Sequence, residues 1–486
     1  MKSIKRNFVY TVLLNVTSVI FPLITAPYVA RVLEPEGVGL FNFANTYAGY
    51  FALFALLGIP TYGIRETAKR RDNKESLSML VSQMMTIAGI STIMVSSIFV
   101  LSLLTIRQLS ANFLIFLIAG FSIYLAPFKI NWIFQGIEEF GYITFRSLVI
   151  RIISILCLFI FVRDKEDLII YIILNVLGSV IADIWNYIMM LKVGIHPKFT
   201  IKGLDKHLKP LLILFASTIA ISFYTMIDTL MLGFFSNYVE VGYYNNASHL
   251  VRLILVTLGS LSTVALPRIS YYMKDSDISN INRIVNKSFS FLSLFLFPIV
   301  IGILCVSSTF IPLFLGSKFV GAVTPLIILS FMMIPLGFNN LTGTQILIGM
   351  GYDKYFLNSM LTGALINFCL NLLVIPYWGA IGASFSSAIA ELSVLIATLY
   401  YIFKYTKIEF SCIDDFCKSL VGAVALLPLF YVLNNYFSGW LLIIIFVILS
   451  CFTYFLVEKL MCNSSMETII VIVSNTKNRI LNNNIF

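Results

Sequence analysis

Apolar runs of transmembrane length alternate with short polar interruptions along almost the entire chain. A helix needs roughly 20 consecutive apolar residues to cross the hydrocarbon core, and about fourteen stretches meet that length. They cover approximately residues 9–33, 39–62, 78–104, 111–134, 145–162, 168–191, 210–233, 244–267, 288–311, 322–348, 355–376, 380–403, 417–436 and 439–460. Backbone N–H and C=O groups in lipid have no water to bond, so each stretch is expected to be a helix. The expected fold class is therefore an all-α integral membrane protein with about 14 transmembrane helices. The first run opens directly after Lys2, Lys5 and Arg6 and extends from about Phe8 to Leu33. A secretory signal carries an apolar region of only about 7–15 residues, so this run is expected to stay as a first helix.

The pattern repeats. Val38-Gly39-Leu40-Phe41-Asn42-Phe43-Ala44-Asn45 opens the second expected span, and Val241-Gly242-Tyr243-Tyr244-Asn245-Asn246-Ala247-Ser248 opens the eighth, 203 positions later. Ile181-Ala182-Asp183 in the sixth is echoed by Ile389-Ala390-Glu391 in the twelfth. Each match carries a span to the one six later in the same direction, which predicts two six-helix lobes related by an internal repeat. Residues 1–191 form the expected N-terminal lobe, 192–209 a cytoplasmic basic linker and 210–403 the C-terminal lobe. Residues 404–460 add two further spans, and 461–486 form a cytoplasmic tail in which Met466 to Ser474 is expected to be an interfacial or frayed helix. Repeats of this kind flank midplane sites in secondary transporters.

Charge sets the orientation. With the N-terminus inside, 25 of the 33 Lys and Arg residues fall in expected cytoplasmic segments, Arg146 among them. Five lie on the opposite side (Arg31, Arg107, Arg163, Lys165, Lys318), and Lys129, Arg151 and Arg252 fall inside spans. This bias predicts that both termini are cytoplasmic. The net charge of +10 thus follows membrane topology and predicts no nucleic-acid partner. Composition agrees: 59% of residues are hydrophobic and 12% charged, with mean hydropathy +0.93, against about 45–50% and about 25% in soluble proteins. No Gly-rich phosphate loop and no Ser/His/Asp set of suitable spacing is evident, and the seven cysteines include no CxxC. No enzyme activity, disulfide, metal or other cofactor is expected. Transport is expected to draw on H+ or Na+ coupling, the membrane potential or the substrate's own gradient.

Polar residues within spans are functional candidates, because burying them in lipid is costly. Asn245, His249 and Arg252 recur at i, i+4, i+7 on one face of the eighth span, which Gly259 and Thr263 continue. That face is expected to line a polar cavity. Asn15, Ser18, Pro22 and Thr25 follow helical spacing in the first span, and Arg31 closes its outer end, where it either reaches the headgroups or faces the cavity. Lys129 and Arg151, near the cytoplasmic ends of their spans, are expected to snorkel outward. Asp183, Asp228 and Glu391 are ion-coupling candidates: a carboxylate at that depth pairs with a cation or takes up a proton, and a fixed ion pair is the alternative. Pro298 and the run Pro335-Leu336-Gly337-Phe338-Asn339-Asn340 mark expected breaks, as hinges or as ordinary kinks.

With these features the chain resembles the Wzx-type oligosaccharide flippases, in the superfamily that also holds the MATE drug exporters and the lipid II flippase MurJ. The clearest shared piece is Ala30-Arg31-Val32-Leu33-Glu34-Pro35-Glu36-Gly37-Val38-Gly39-Leu40-Phe41. Gly63-Ile64-Arg65-Glu66, Trp132-Ile133-Phe134-Gln135-Gly136-Ile137-Glu138 and Ile227-Asp228-Thr229-Leu230-Met231-Leu232-Gly233 support it. The resemblance implies a V-shaped pair of six-helix lobes around a central cavity, with two extra C-terminal helices. It implies a substrate too, an undecaprenyl-pyrophosphate-linked oligosaccharide moved across a bacterial plasma membrane for O-antigen or capsule assembly. Membrane lipids, a polysaccharide polymerase and chain-length machinery are the implied partners. On that basis Arg252, Arg31, Arg65 and Lys129 are candidate pyrophosphate cations, and Asn42, Asn45, Asn245, Asn246 and His249 candidate sugar contacts. The deep cations are sparser than in MurJ-like cavities, which favours such a substrate over lipid II. A cation-coupled drug exporter is the alternative, and a membrane oligosaccharide polymerase is disfavoured by the short outer loops.

Overall fold

The computed structural model describes residues 4–262, 265–274, 277–468 and 470, and among them it contains helices, turns and no strand. Lys2, Thr263, Lys477, Arg479 and the tail from residue 471 onward lie outside the described residues. The chain divides into two compact units, Met1–Gly242 and Tyr243–Phe486.

The first unit begins with α1 (Ile4–Leu56), a continuous run of 53 residues. At about 1.5 Å per residue such a helix would be far longer than the roughly 30 Å hydrocarbon core, so it holds two spans. They join at Glu34, whose φ of 59° and ψ of 173° are non-helical. Residues other than glycine adopt that region at a cost of about 1–3 kcal/mol. Pro35 supplies the reason, since a residue before proline is driven out of helical ψ. Beyond the corner, Gly39 and Gly242 make a reciprocal contact. A Cβ on Gly39 would stand 1.6 Å from the Tyr238 carbonyl oxygen, and one on Gly242 would stand 2.2 Å from that of Pro35.

Next come α2 (Ile59–Arg70) and α3 (Lys74–Thr105). The expected fourth span, 111–134, is not one helix. After α4 (Arg107–Ser110), which precedes it, it is built from α5 (Phe113–Ala119), α6 (Phe121–Tyr124) and, after a 3-10 turn at Ala126–Phe128, α7 (Asn131–Gly136). The two halves of this span meet at 40°, with Pro127 in the break, where it cannot donate a helical hydrogen bond. Two shared sequence pieces explain each other here. Gly63 leaves room for the Trp132 ring, 2.4 Å from where a Cβ would stand, and Gly136 does the same for Thr67 at 2.5 Å. α8 (Phe140–Phe161), α9 (Leu168–Lys192) and α10 (Asp205–Phe235) complete the unit.

α11 (Tyr238–Ser262) leads into the second unit, followed by α12 (Ala265–Lys274) and α13 (Ile278–Phe314). α13 is the central post, in contact with α12, with α14 (Val323–Asn339), and with the last three helices α16 (Ile413–Val424), α17 (Leu426–Tyr436) and α18 (Gly439–Leu460). The expected break after Pro335 appears as a nine-residue π-helix, Asn340–Ile348. α15 (Asp353–Tyr405) is again 53 residues with one non-helical position, Gly379 at φ 50°, and so again holds two spans. Among the described residues, ten helical stretches are long and apolar enough to cross a membrane, or eleven with the bent pair of the fourth span, and α1 and α15 are each long enough for two spans.

The connection after α9 is no loose tether. Ser78, Ser82 and Thr86 recur every four residues on α3, and their hydroxyls accept the backbone N–H groups of His196 (3.3 Å), Lys198 (2.9 Å) and Thr200 (3.4 Å). Gln83 donates to the Lys202 carbonyl at 3.0 Å. The second unit repeats the device after α15. Asn286 on α13 donates to the Glu409 carbonyl at 2.8 Å and accepts the N–H groups of Ser411 (2.8 Å) and Cys412 (3.1 Å), while Asn282 accepts that of Glu409 (3.3 Å). Asn282 and Asn286 stand 204 positions after Ser78 and Ser82, so the internal repeat extends to how each unit ties down its following segment. Asn286→Ala removes three of these bonds, and at about 1 kcal/mol each before relaxation it is expected to lower the thermal unfolding midpoint of the purified protein. An unchanged midpoint would show that the strap contributes nothing.

Candidate functional site

In the first unit, deep charges gather where α7, α8 and α9 meet. Lys129 sits in the break of the fourth span, half-buried, and its charge acts with that of Arg146 on the Asp183 carboxylate of α9. Its side chain is half-buried in the protein, not free at the surface. Arg146 is 6% exposed and so is not the loop cation that the charge pattern suggested. Its guanidinium donates to Asn186 Oδ1, to Asn131 Oδ1 at 3.2 Å and to the Ala182 carbonyl at 3.5 Å, and lies 5.8 Å from the centre of the Tyr142 ring. The Tyr142 hydroxyl also donates to Asn186 Oδ1, at 3.2 Å. Two cations thus share one acid, and Arg146 Nε and Asn186 Nδ2 are buried donors without a partner among the described residues.

Arg151 also turns inward. It donates to Thr17 Oγ1 at 3.0 Å, lies 5.9 Å from the Phe21 ring centre and lines a cavity of about 320 Å³. Ser18, Thr25, Ser154 and Asn175 stand on the same walls, between α1, α8 and α9. A hydroxyl and an aromatic face thus hold the guanidinium against the protein instead of leaving it extended.

The remaining candidates of the first unit are spread over separate elements. Arg31 and Asn45 are exposed on α1 and Asn42 is half-buried. Asp228 on α10 is 6% exposed, and its charge reaches the Tyr50 hydroxyl, which donates to the Ser222 carbonyl at 3.1 Å. Arg65 belongs to α2, where it lies 5.4 Å from the Tyr62 ring centre and 3.5 Å from Glu66. Glu66 also meets Lys69 at 2.8 Å and Arg70 at 2.5 Å. Burial pushes the Glu66 carboxyl up, but the hydrogen bonds from Lys69 and Arg70 outweigh it and hold the group below the usual carboxylate range. This loop helix is therefore organised around one buried carboxylate that stays charged at neutral pH.

In the second unit, Asn245, His249 and Arg252 share a face of α11, as their spacing predicts. His249 and Arg252 are exposed, while Val241, Tyr244, Ala247, Ser248 and Val251 are buried around the rest of the helix. Asn246 is half-buried, and Arg252 Nε donates to Ser248 Oγ at 3.2 Å. Glu391 on α15 is 6% exposed and engages Asn339, whose amide donates to its carboxylate at 2.7 Å and to its backbone carbonyl at 2.9 Å. Thr342 and Thr398 pair at 2.9 Å between the same two walls. Gln345 is buried on the same π-helix, and neither of its amide atoms has a partner among the described residues. Sequence reasoning missed this polar ladder, although the Asn339-Asn340 pair after Pro335 signalled it. Among the described residues, no group of three or more His, Cys, Asp or Glu is placed to hold a metal ion.

The fold has counterparts among solved membrane proteins. It is similar to the lipid II flippase MurJ in an inward closed conformation, with a TM-score of 0.76, 18% identity, and coverage of 93% of this chain and 98% of that one. It is also similar to an inward-facing multidrug resistance MATE family transporter of the MOP superfamily, with a TM-score of 0.62, 12% identity, and coverage of 79% and 94%. The chain belongs to the family described as "Polysaccharide biosynthesis protein", which matches residues 4–273. A relative from Escherichia coli (strain K12), named "Putative O-antigen transporter", is 25% identical over 406 residues, covering 82% of this chain and 97% of its own.

Arg146 offers a direct test of the charge cluster. Arg146→Met fills similar volume but leaves Asn131 and Asn186 without their shared donor. A loss of about 1–3 kcal/mol is expected, read as a lower thermal midpoint in detergent. A midpoint at the wild-type value would show that the network is not holding α7, α8 and α9.

Proposed function

We propose that this protein is a flippase that carries polyprenyl-pyrophosphate-linked oligosaccharide repeat units across the bacterial plasma membrane by alternating access. The observation that carries the reading is the match over 97% of the length of the Escherichia coli relative. Family membership and the fold shared with a lipid II flippase support it. The MATE likeness rests on fold alone, at 12% identity, and basic groups at Arg252, Arg146, Lys129 and Arg151 suit an anionic cargo better than a cationic drug.

In this reading a pyrophosphate moves past cations that compensate its charge in a low-dielectric path. Arg252, Arg31, Arg65 and Lys129 take that role, with Arg146 and Arg151 added by their positions in the first unit. Asn42, Asn45, Asn245, Asn246 and His249 offer amide and imidazole partners to sugar hydroxyls, and the lipid tail stays in the bilayer. Asp183, Asp228 and Glu391 are the proposed coupling groups for H+ or Na+. The excess of Lys and Arg in alternate loops supports a cytoplasmic location for both termini. Transport involves no covalent step, so the chain acts as a carrier, not an enzyme. A polysaccharide polymerase and its chain-length machinery receive the cargo.

Deleting the gene is expected to leave complete lipid-linked repeat units on the cytoplasmic leaflet and to strip the surface polysaccharide. In that strain, Arg252→Lys should restore more surface polysaccharide than Arg252→Ala at matched membrane levels. Full rescue by the Ala variant would remove Arg252 from the path. Surface polysaccharide that persists as single units after deletion would replace the flippase reading with a polymerase.

A further inference from the structure

We infer that the cleft between α12 and the first turns of α13 is a docking site for a lipid-borne diphosphate and its first sugar, occupied before the cargo enters the transport path. The inference rests on the flippase reading and adds a second, peripheral position to it. Pro267, Arg268, Tyr271 and Tyr272 line one wall, and Asn280, Arg283, Ile284 and Lys287 the other, around a volume of about 660 Å³. On α13 the spacing of i, i+3, i+4 and i+7 puts its four residues on one face. Three cations converge on this cleft, and among the described residues no carboxylate lines it.

The cleft is built on fixed elements. α12 is held by its other side, where Ile269 is fully buried and the Ser270 hydroxyl donates to the Gly349 carbonyl at 3.1 Å. Asp277 caps the start of α13: its carboxylate accepts from the Asn280 N–H at 3.1 Å and from the Asn280 side chain at 2.7 Å. It also fixes Asn280 in place at the rim. Arg268, Arg283 and Lys287 remain exposed, and none of them has an ion-pair partner among the described residues.

The chemistry selects an anion with more than one charge and with bulk beside it. Two guanidinium groups and an ammonium match the several oxygens of a diphosphate, for which arginine forks are suited. A single phosphate would leave most of the volume empty. The Tyr271 and Tyr272 rings, 5.4 Å apart, offer an apolar face with a polar edge next to the cations, the surface a sugar ring needs. The charge bias assigns this segment to the cytoplasmic side, where lipid-linked units are made available for transport. Anionic phospholipids share the phosphate chemistry, and the test separates them.

The full-length protein in phosphatidylcholine nanodiscs is titrated with farnesyl diphosphate and, separately, with phosphatidylglycerol. Replacing Arg268→Gln, Arg283→Gln and Lys287→Gln together is expected to weaken farnesyl diphosphate binding about tenfold or more, with the ligand-free thermal midpoint unchanged. Lys287→Glu alone should weaken it and Lys287→Arg should retain it. The wild-type affinity should fall as salt rises. No binding by the wild type, equal binding by the triple variant, or a preference for phosphatidylglycerol lost in that variant would each overturn the inference. Arg163→Gln, at an exposed position far along the chain, serves as the control that leaves binding unchanged. The flippase reading is judged separately, by lipid-linked units in the deletion strain.

Discussion

The structure depends on one constraint: within a bilayer, a polar group must find its partner inside the protein. Backbone groups meet it by forming helices. Each place where helical geometry fails therefore needs local compensation, and four such places stand out: the Glu34 corner, the break around Lys129, the π-helix at Asn340–Ile348 and Gly379. Two of the four coincide with buried polar side chains. Lys129 stands beside Asp183 and Arg146, and the π-helix carries Thr342 and Gln345 next to Glu391 and Thr398. An irregular backbone at depth is tolerated where protein surrounds it, and there it can turn side chains that a regular helix would point elsewhere.

Periodicity and charge made the architecture legible. Run lengths marked the helices, while the loop charges and two short echoes supplied an expected orientation and an expected repeat. What escaped was whatever depends on residues distant in sequence. The fourth span reads as one apolar stretch, because Pro127 and Lys129 do not lower its hydropathy enough to show the bend. Arg146 sits close enough to the start of α8 to be counted with a loop, and only the meeting with Asn131 and Asn186 buries it. Arg151 looked like a snorkelling side chain for the same reason. Ser78, Ser82 and Thr86 were unremarked hydroxyls until the segment after α9 came to lie across them. Of the candidate site, the α11 face was readable from spacing, whereas the pairing of Lys129 with Asp183 was not.

Each unit carries its own polar interior, and the two differ in chemistry. The first concentrates cations, at Lys129, Arg146 and Arg151, with one carboxylate among them. The second holds a neutral ladder around Glu391, with its cations on α11 and at the α12–α13 cleft. A repeat preserved in backbone and in loop attachment has thus diverged in charge. That divergence suits a cargo with one strongly anionic end, which needs compensation in some places and neutral hydrogen-bonding partners in others.

The contact of Gly39 with Gly242 carries a further meaning. These glycines occupy equivalent positions in the two copies of the repeat, and so do Pro35 and Tyr238, the residues whose carbonyls they approach. Position i of one copy meets position j of the other, and j meets i, which is the signature of an isologous two-fold interface. A shorter chain holding only one copy could form the same contact with a second molecule of itself. Within the first unit the contact is made by backbone on both sides, so neither glycine could be exchanged for a larger residue without parting the two segments.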